Sequence, residues 1–309
     1  MARRGSEPEE ESSGAALVAA LRRIGEAIER LSPAPPEPPD FARVLAAVWK
    51  STPTGGCLVP IEAPDRVELE RLVAIEAQLA AIDRNTRAFV RGWPANHVLL
   101  TGARGTGKSS LVKAMLTRYA GEGLRLIEVS KDDLAHLAQI VALVRRQPYR
   151  FVVFCDDLAF DSGDASYRAL KAALDGSVAG GADNVLVYAT SNRRHLMPEY
   201  FRENAETRYV GEEIHFGESI EEKISLSERF GLWIPFYPFT QEDYLAAVER
   251  WIEFRRGRPI DTRQREALFR EALQWALARG SRSGRVAEQF ARDWLARRAG
   301  AGKPPGARP

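Results

Sequence analysis

Eight consecutive residues, Gly102-Ala103-Arg104-Gly105-Thr106-Gly107-Lys108-Ser109, follow the spacing G-x-x-x-x-G-K-[ST]. Glycines at this spacing let the backbone curl so that successive N–H groups point at one anion. A lysine at the seventh place reaches β- and γ-phosphates, and a hydroxyl at the eighth can ligate Mg²⁺. Ser110 leads on into Leu111-Val112-Lys113-Ala114, an amphipathic helix start that adds free N–H groups and a positive dipole end. Residues 102–110 are therefore expected to cradle the phosphates of a nucleoside triphosphate, with Lys108 as the cation and Ser109 as a metal ligand.

A second chemical grouping closes the strand Phe151-Val152-Val153-Phe154-Cys155 with two carboxylates, Asp156 and Asp157. Asp156 is expected to hold Mg²⁺ directly or through its water. Asp157 is placed to orient and polarise an attacking water. A third strand, Asn184-Val185-Leu186-Val187-Tyr188-Ala189, ends in Thr190-Ser191-Asn192, and the Asn192 amide can bond that water or the γ-phosphate. His195, just beyond, reads either as a switch residue or as a hydrogen-bonded structural histidine. Four scattered histidines and two cysteines, Cys57 and Cys155, cannot build a zinc site at known spacings. No Ser/His/Asp grouping shows in the sequence order.

These groups need a rigid frame. Strands are expected at 97–101, 124–129, 150–155, 184–190 and 233–237, with helices at 107–120, 133–146, 164–176 and 219–230. Such alternation implies a parallel sheet covered on both faces, and the unbroken apolar strands agree with burial on both sides. A long amphipathic helix is expected at 67–91 and a short one through Trp49. After 241 the pattern is helical throughout: 241–256, 262–279 and 283–298. At the other end, residues 1–14 read as disordered. A helix at 15–31 carries the stripe Leu17, Leu21, Ile24, Ile28 and Leu31, a docking or self-association face. The run Ser32-Pro33-Ala34-Pro35-Pro36-Glu37-Pro38-Pro39 then sets it off as a stiff linker.

With 309 residues, 45% of them hydrophobic, the chain can bury a large core. No apolar run approaches a membrane span and no signal peptide is apparent, so a reducing cytoplasm is expected. The net charge of +2 is unevenly spread. Residues 1–40 hold five basic and eight acidic side chains, a net of −3, while residues 250–309 hold fifteen and six, a net of +9. The basic end is either a solvated helical surface or a seat for an anionic partner.

The order of motifs, closed by a helical lid, resembles an AAA+ ATPase. The segments NHVLLTGARGTGKSSLVKA, FVVFCDDLAF, NVLVYATSNRRHL and EEKISLSERFGLWIPFYPF are similar to the bacterial domain-of-unknown-function family 815, over roughly residues 67–296. That resemblance implies an α/β P-loop NTPase with a five-stranded parallel sheet and a small all-α lid. It divides the chain into an N-terminal helix and linker (1–40), an extension (41–66), the nucleotide-binding domain (67–238), the lid (239–299) and a tail (300–309). It also implies ATP as the nucleotide. Arg229 would serve as an arginine finger toward a neighbouring subunit, and Arg285, with Arg282 as runner-up, would touch nucleotide in its own subunit from the lid. Asp157 stands where many AAA+ members carry the longer Glu.

Three functional readings follow. The first is a Mg²⁺-dependent ATPase that forms a homo-oligomer and remodels or loads an unidentified protein or nucleic-acid partner. The second is a nucleotide-gated DNA-binding adaptor, akin to a helicase loader, with little turnover. The third is a small-molecule kinase, against which the lid and the SERFG segment speak.

Overall fold

Runs of apolar residues that must be covered on both faces dictate a central sheet, and one organises this chain. The computed structural model describes residues 18–25, 37–52, 55–160, 170, 171, 174, 182–192, 208–210, 213–215 and 229–299. Disorder at 1–14, the tail 300–309, His195 and most of the expected helices 164–176 and 219–230 lie outside the described residues, as does much of the N-terminal helix and linker. Residues 18–25 are helical, with Val18, Leu21 and Ile24 exposed.

The strands are β1 (Ala46–Thr52), β2 (Gly55–Ile61), β3 (Val98–Gly102), β4 (Leu124–Glu128), β5 (Arg150–Cys155), β6 (Val185–Ser191), β7 (Arg208–Val210), β8 (Glu213–His215) and β9 (Leu232–Phe236). Seven form one sheet in the order β2-β1-β4-β5-β6-β3-β9. The five expected strands are all present and mutually parallel, from β4 through β5, β6 and β3 to β9. The strand count is corrected upward by β1, parallel to β4, and β2, antiparallel at the edge. A separate short pair, β7 with β8, was not foreseen.

The helix expected through Trp49 is instead the β1–β2 hairpin. Gly55 and Gly56 open β2, paired with Thr52 and Ser51 of β1. A Cβ at Gly56 would lie 2.3 Å from the Trp49 ring, so the glycine makes room for the buried indole. The long helix at 67–91 is also corrected. A 3₁₀ turn, Leu69–Arg71, is followed by non-helical residues, and α1 starts only at Glu76 and runs to Val90. Ala74 takes φ 58°, which a helix cannot contain. Val73 and Ile75 pack instead into two different apolar clusters, so tertiary burial overrides the local helical stripe.

Helices α2 (Lys108–Tyr119) and α3 (Leu137–Val144) complete the described α/β layer. Side chains alternate along each strand between its two faces. Leu99, Ile127, Phe151 and Val153 meet α3 and the Trp49 hairpin on one face. Val98, Leu100, Leu126, Val152 and Tyr188 meet α1 and α2 on the other. The C-terminal helices are α4 (Gln241–Arg256), α5 (Thr262–Arg279) and α6 (Gly284–Ala299). A Thr240/Asp243 capping box opens α4, Asp261 caps α5, and Gly257 and Gly280 end these two helices in left-handed conformation. Their own core gathers Tyr244, Ile252, Leu268, Phe290 and Trp294.

Candidate functional site

Parallel strands β3, β5 and β6 end side by side, so the segments that follow them converge. The loop after β3 leads into α2, with Gly107 as its left-handed N-cap. Gly102 has φ 130°, and a Cβ there would lie 1.9 Å from the Phe236 carbonyl oxygen of β9. Only glycine allows that close passage. Lys108 is buried, and its Nζ donates to the carbonyls of Gly102 and Ala103, both at 2.7 Å, and to Asn192 Oδ1 at 3.0 Å. Desolvation lowers the pKa of this ammonium. Arg104 and Arg285 push the same way, while Asp156 and Asp157 oppose them.

The acidic pair is divided between two sets of partners. Ser109 Oγ donates to Asp156 Oδ1 at 2.6 Å, and Thr190 Oγ1 donates to the same oxygen at 2.5 Å. Asp157 accepts from Asn192 Nδ2 and lies 3.6 Å from Arg104 Nη2. That ion pair is solvent-exposed and contributes little by itself. Asp157 also adopts φ 55°, a left-handed backbone that Asp and Asn tolerate better than most residues.

The lid closes over the loop at Gly105. Its Cβ would meet Ser283 Oγ at 2.9 Å and Arg285 Cβ at 3.3 Å, so the start of α6 rests directly on the loop backbone. Lys108, Ser109, Asp156, Asp157, Asn192 and Arg285 all line one cavity of about 570 Å³. Its other wall is partly apolar: Leu72, Val73, Ile75, Phe239, Ala247 and Trp251. A cavity of this size suits a nucleotide-sized ligand. Its lining combines the cations Lys108, Lys113 and Arg285 with the aromatic rings of Phe239 and Trp251.

Among the described residues, no group of three or more His, Cys, Asp or Glu side chains gathers to hold a metal. Mg²⁺ does not need one. It keeps several waters and takes one or two protein oxygens beside substrate phosphates. Ser109 Oγ and Asp156 Oδ1, already in contact beside Lys108, fit that demand.

The structure thus brings together eleven of the expected site residues, namely residues 104–110 of the loop with Asp156, Asp157, Asn192 and Arg285. Gly102 and Ala103 contribute the carbonyls that hold Lys108. Arg282 does not line the cavity and is exposed. Arg229 does not line it either. It precedes β9 at the N-terminal ends of the strands, whereas the loop follows the C-terminal end of β3. The five residues of β9 separate these edges by about 16 Å at roughly 3.3 Å per residue.

Sequence reasoning missed Thr190, Arg71 and Trp251. Thr190 carried a usable signal, since it stands in the polar end of the same apolar run, two residues before Asn192. Arg71 and Trp251 carried none. They meet only because the 3₁₀ turn packs on α4, where the Arg71 guanidinium lies 3.8 Å from the Phe254 ring centroid and 5.9 Å from that of Trp251.

The family described as "Protein of unknown function (DUF815)" matches residues 42–298. The chain belongs to this family. A search of the curated proteins gives no match. Among solved structures, a point mutant of Thermotoga maritima RuvB aligns at 16% identity over 72% of this chain and 71% of that one, with a TM-score of 0.42. The Thermotoga maritima RuvB Holliday junction branch migration motor aligns at 16% identity over 72% and 70%, with a TM-score of 0.38. The fold of this DUF815 chain is α/β, with a parallel-dominated sheet followed by three C-terminal helices that share a core of their own. No described helix is long and apolar enough to cross a membrane.

Proposed function

We propose that this DUF815 protein binds ATP with Mg²⁺, hydrolyses it as a homo-oligomer, and uses the cycle to remodel or load a macromolecular partner, protein or nucleic acid. The observation that carries the reading is the convergence of Lys108, Ser109, Asp156, Asp157 and Asn192 on one cavity beneath Arg285. Lys108 exchanges its carbonyl partners for phosphate oxygens. Ser109 and Asp156 hold Mg²⁺, which neutralises charge on the β- and γ-phosphates when bound. Asp157 and Asn192 orient the attacking water, and Arg285 engages the nucleotide from the lid. Arg229, at the opposite edge of its own sheet, serves a neighbour's site. In this reading residues 67–238 form the nucleotide-binding domain and 239–299 the lid, in a protein of the cytoplasm.

A second reading, a nucleotide-gated DNA-binding adaptor with little turnover, is favoured by one observation: Asp157 is engaged by both Arg104 and Asn192. Phosphate release measured against protein concentration separates the two. Specific activity that rises cooperatively with concentration, and vanishes in Asp157→Asn, supports the ATPase. Tight ATP binding with no turnover at any concentration supports the adaptor.

A further inference from the structure

Thr190 makes three contacts with the segment that carries both carboxylates. Its Oγ1 donates to Asp156 Oδ1 at 2.5 Å and accepts from the Asp157 backbone N–H at 2.9 Å, and its carbonyl accepts from Leu158 N–H at 2.6 Å. The residue is 1% exposed and sits in the middle of the sheet, where β6 lies between β5 and β3. A hydroxyl can donate and accept at once, and here it does so toward two adjacent residues that have different duties.

We infer that Thr190 is a positioning residue for nucleotide hydrolysis, one hydroxyl setting the metal-side carboxylate and the water-side carboxylate together. The inference rests on the ATPase reading of the site. The donated bond fixes which Asp156 oxygen faces Ser109, because that oxygen accepts from both hydroxyls. The accepted bond holds the Asp157 amide where the chain leaves β5 in a left-handed turn at φ 55°. That turn, and not a longer side chain, carries the Asp157 carboxylate to Asn192 and Arg104. A Glu is less at ease in left-handed backbone than Asp, so the residue at 157 and the hydroxyl at 190 belong to one arrangement. Asn192, the residue just past the end of β6, then completes the link to Lys108.

The test compares Thr190→Val, which keeps the shape and removes the hydroxyl, with Thr190→Ser, which keeps the hydroxyl and removes the methyl. A fluorescent ATP analogue is titrated with Mg²⁺ and with EDTA, and phosphate release is followed in parallel. T190V is expected to bind in EDTA as the wild type does, to lose most of the Mg²⁺-dependent gain in affinity, and to lose at least about tenfold in kcat, the scale of one charge-assisted hydrogen bond. T190S is expected to keep both within about threefold. Wild-type Mg²⁺ dependence and turnover in T190V would overturn the inference. So would a T190S as impaired as T190V, since methyl packing would then be the cause. If T190V does not melt cooperatively, Thr190→Cys replaces it, with the same two outcomes. If the wild type itself turns nothing over, the ATPase reading fails, while the Mg²⁺-dependent binding gain still decides whether Thr190 sets Asp156.

Discussion

Lys108 Nζ donates to Asn192 Oδ1 at 3.0 Å, across 84 positions of sequence. The other end of the same amide donates to Asp157. A side chain that joins a cation to a carboxylate must accept at one end and donate at the other. Among short side chains an amide does this in a fixed geometry, and neither Asp nor Lys can. The end of β6 therefore ties the glycine-rich loop to the acidic pair through one side chain.

Lys108→Ala removes the cation at the centre of that arrangement and leaves Asn192 without a donor. Nucleotide affinity is expected to fall by at least about 100-fold, as loss of a charge-assisted contact in a buried site implies. Equilibrium titration with a fluorescent ATP analogue checks it, on protein whose melting curve shows it folded. Unchanged affinity would sink the phosphate-loop reading.

Asp156 and Asp157 are expected to part company on neutralisation. Asp156→Asn weakens Mg²⁺-dependent binding, because an amide oxygen is a poorer partner for a hard cation. Asp157→Asn keeps nucleotide affinity and loses hydrolysis, and its fold survives because Asn tolerates φ 55°. Asp157→Ala loses hydrolysis too, but costs about 1 kcal/mol of stability for placing alanine in left-handed backbone. Chemical denaturation and phosphate release on the three variants test the ordering. Hydrolysis by Asp157→Asn at the wild-type rate would show that the roles are misassigned.

The chemical residues were legible because each sits where local sequence dictates local backbone. Gly102 to Ser109 specify their loop by themselves. Asp156 and Asn192 each end an apolar run that must be a buried strand, and parallel packing brings strand ends together. Cys155, at the end of the same apolar run as Asp156, is buried, and desolvation pushes its thiol up to about 12. What escaped depends on contacts between distant segments. Trp49 reads as well on a helix as on a strand, and only the room that Gly56 leaves for its ring and the pairing of β1 with the edge of β4 decide for a hairpin. Leu72, Val73 and Ile75 look like a helical stripe until the lid and the sheet claim them separately.

His97 gives a pH dependence that can be read on the fold alone. Its Nδ1 accepts from the Val187 N–H at 2.9 Å, and burial holds its pKa down at about 4. Between about 6.5 and 4 the unfolded chain takes up a proton that the folded chain refuses, so stability falls as pH drops through that window. The loss from pH 7 to pH 5 should be about 2 kcal/mol, because each tenfold difference in proton affinity between the two states is worth roughly 1.4 kcal/mol. Urea unfolding at both values measures it. His97→Gln, which lacks the titrating ring, is expected to remove most of the difference, and a His97→Gln protein with the full pH dependence would place its origin elsewhere.

Arg229 should act in trans. Phe230, its neighbour, is buried in the core beneath the sheet, which pins this stretch to the edge opposite the phosphate loop. With β9 running about 16 Å between the two edges at roughly 3.3 Å per residue, the Arg229 guanidinium could not reach phosphates held, as proposed, at its own Lys108. In the proposed homo-oligomer, a neighbouring subunit stacked against that edge would bring its own site within range. There the guanidinium would stabilise charge spreading over the γ-phosphoryl oxygens, an effect on the order of 10³-fold or more in arginine fingers. Arg229→Ala is therefore expected to bind ATP normally and hydrolyse it poorly. Mixing it with Asp157→Asn subunits should restore part of the activity, because Arg229 of one subunit then meets an intact Asp157 site on the other. If mixed oligomers form, shown by co-purification through a tag on one variant, and stay as inactive as each variant alone, the assignment in trans fails.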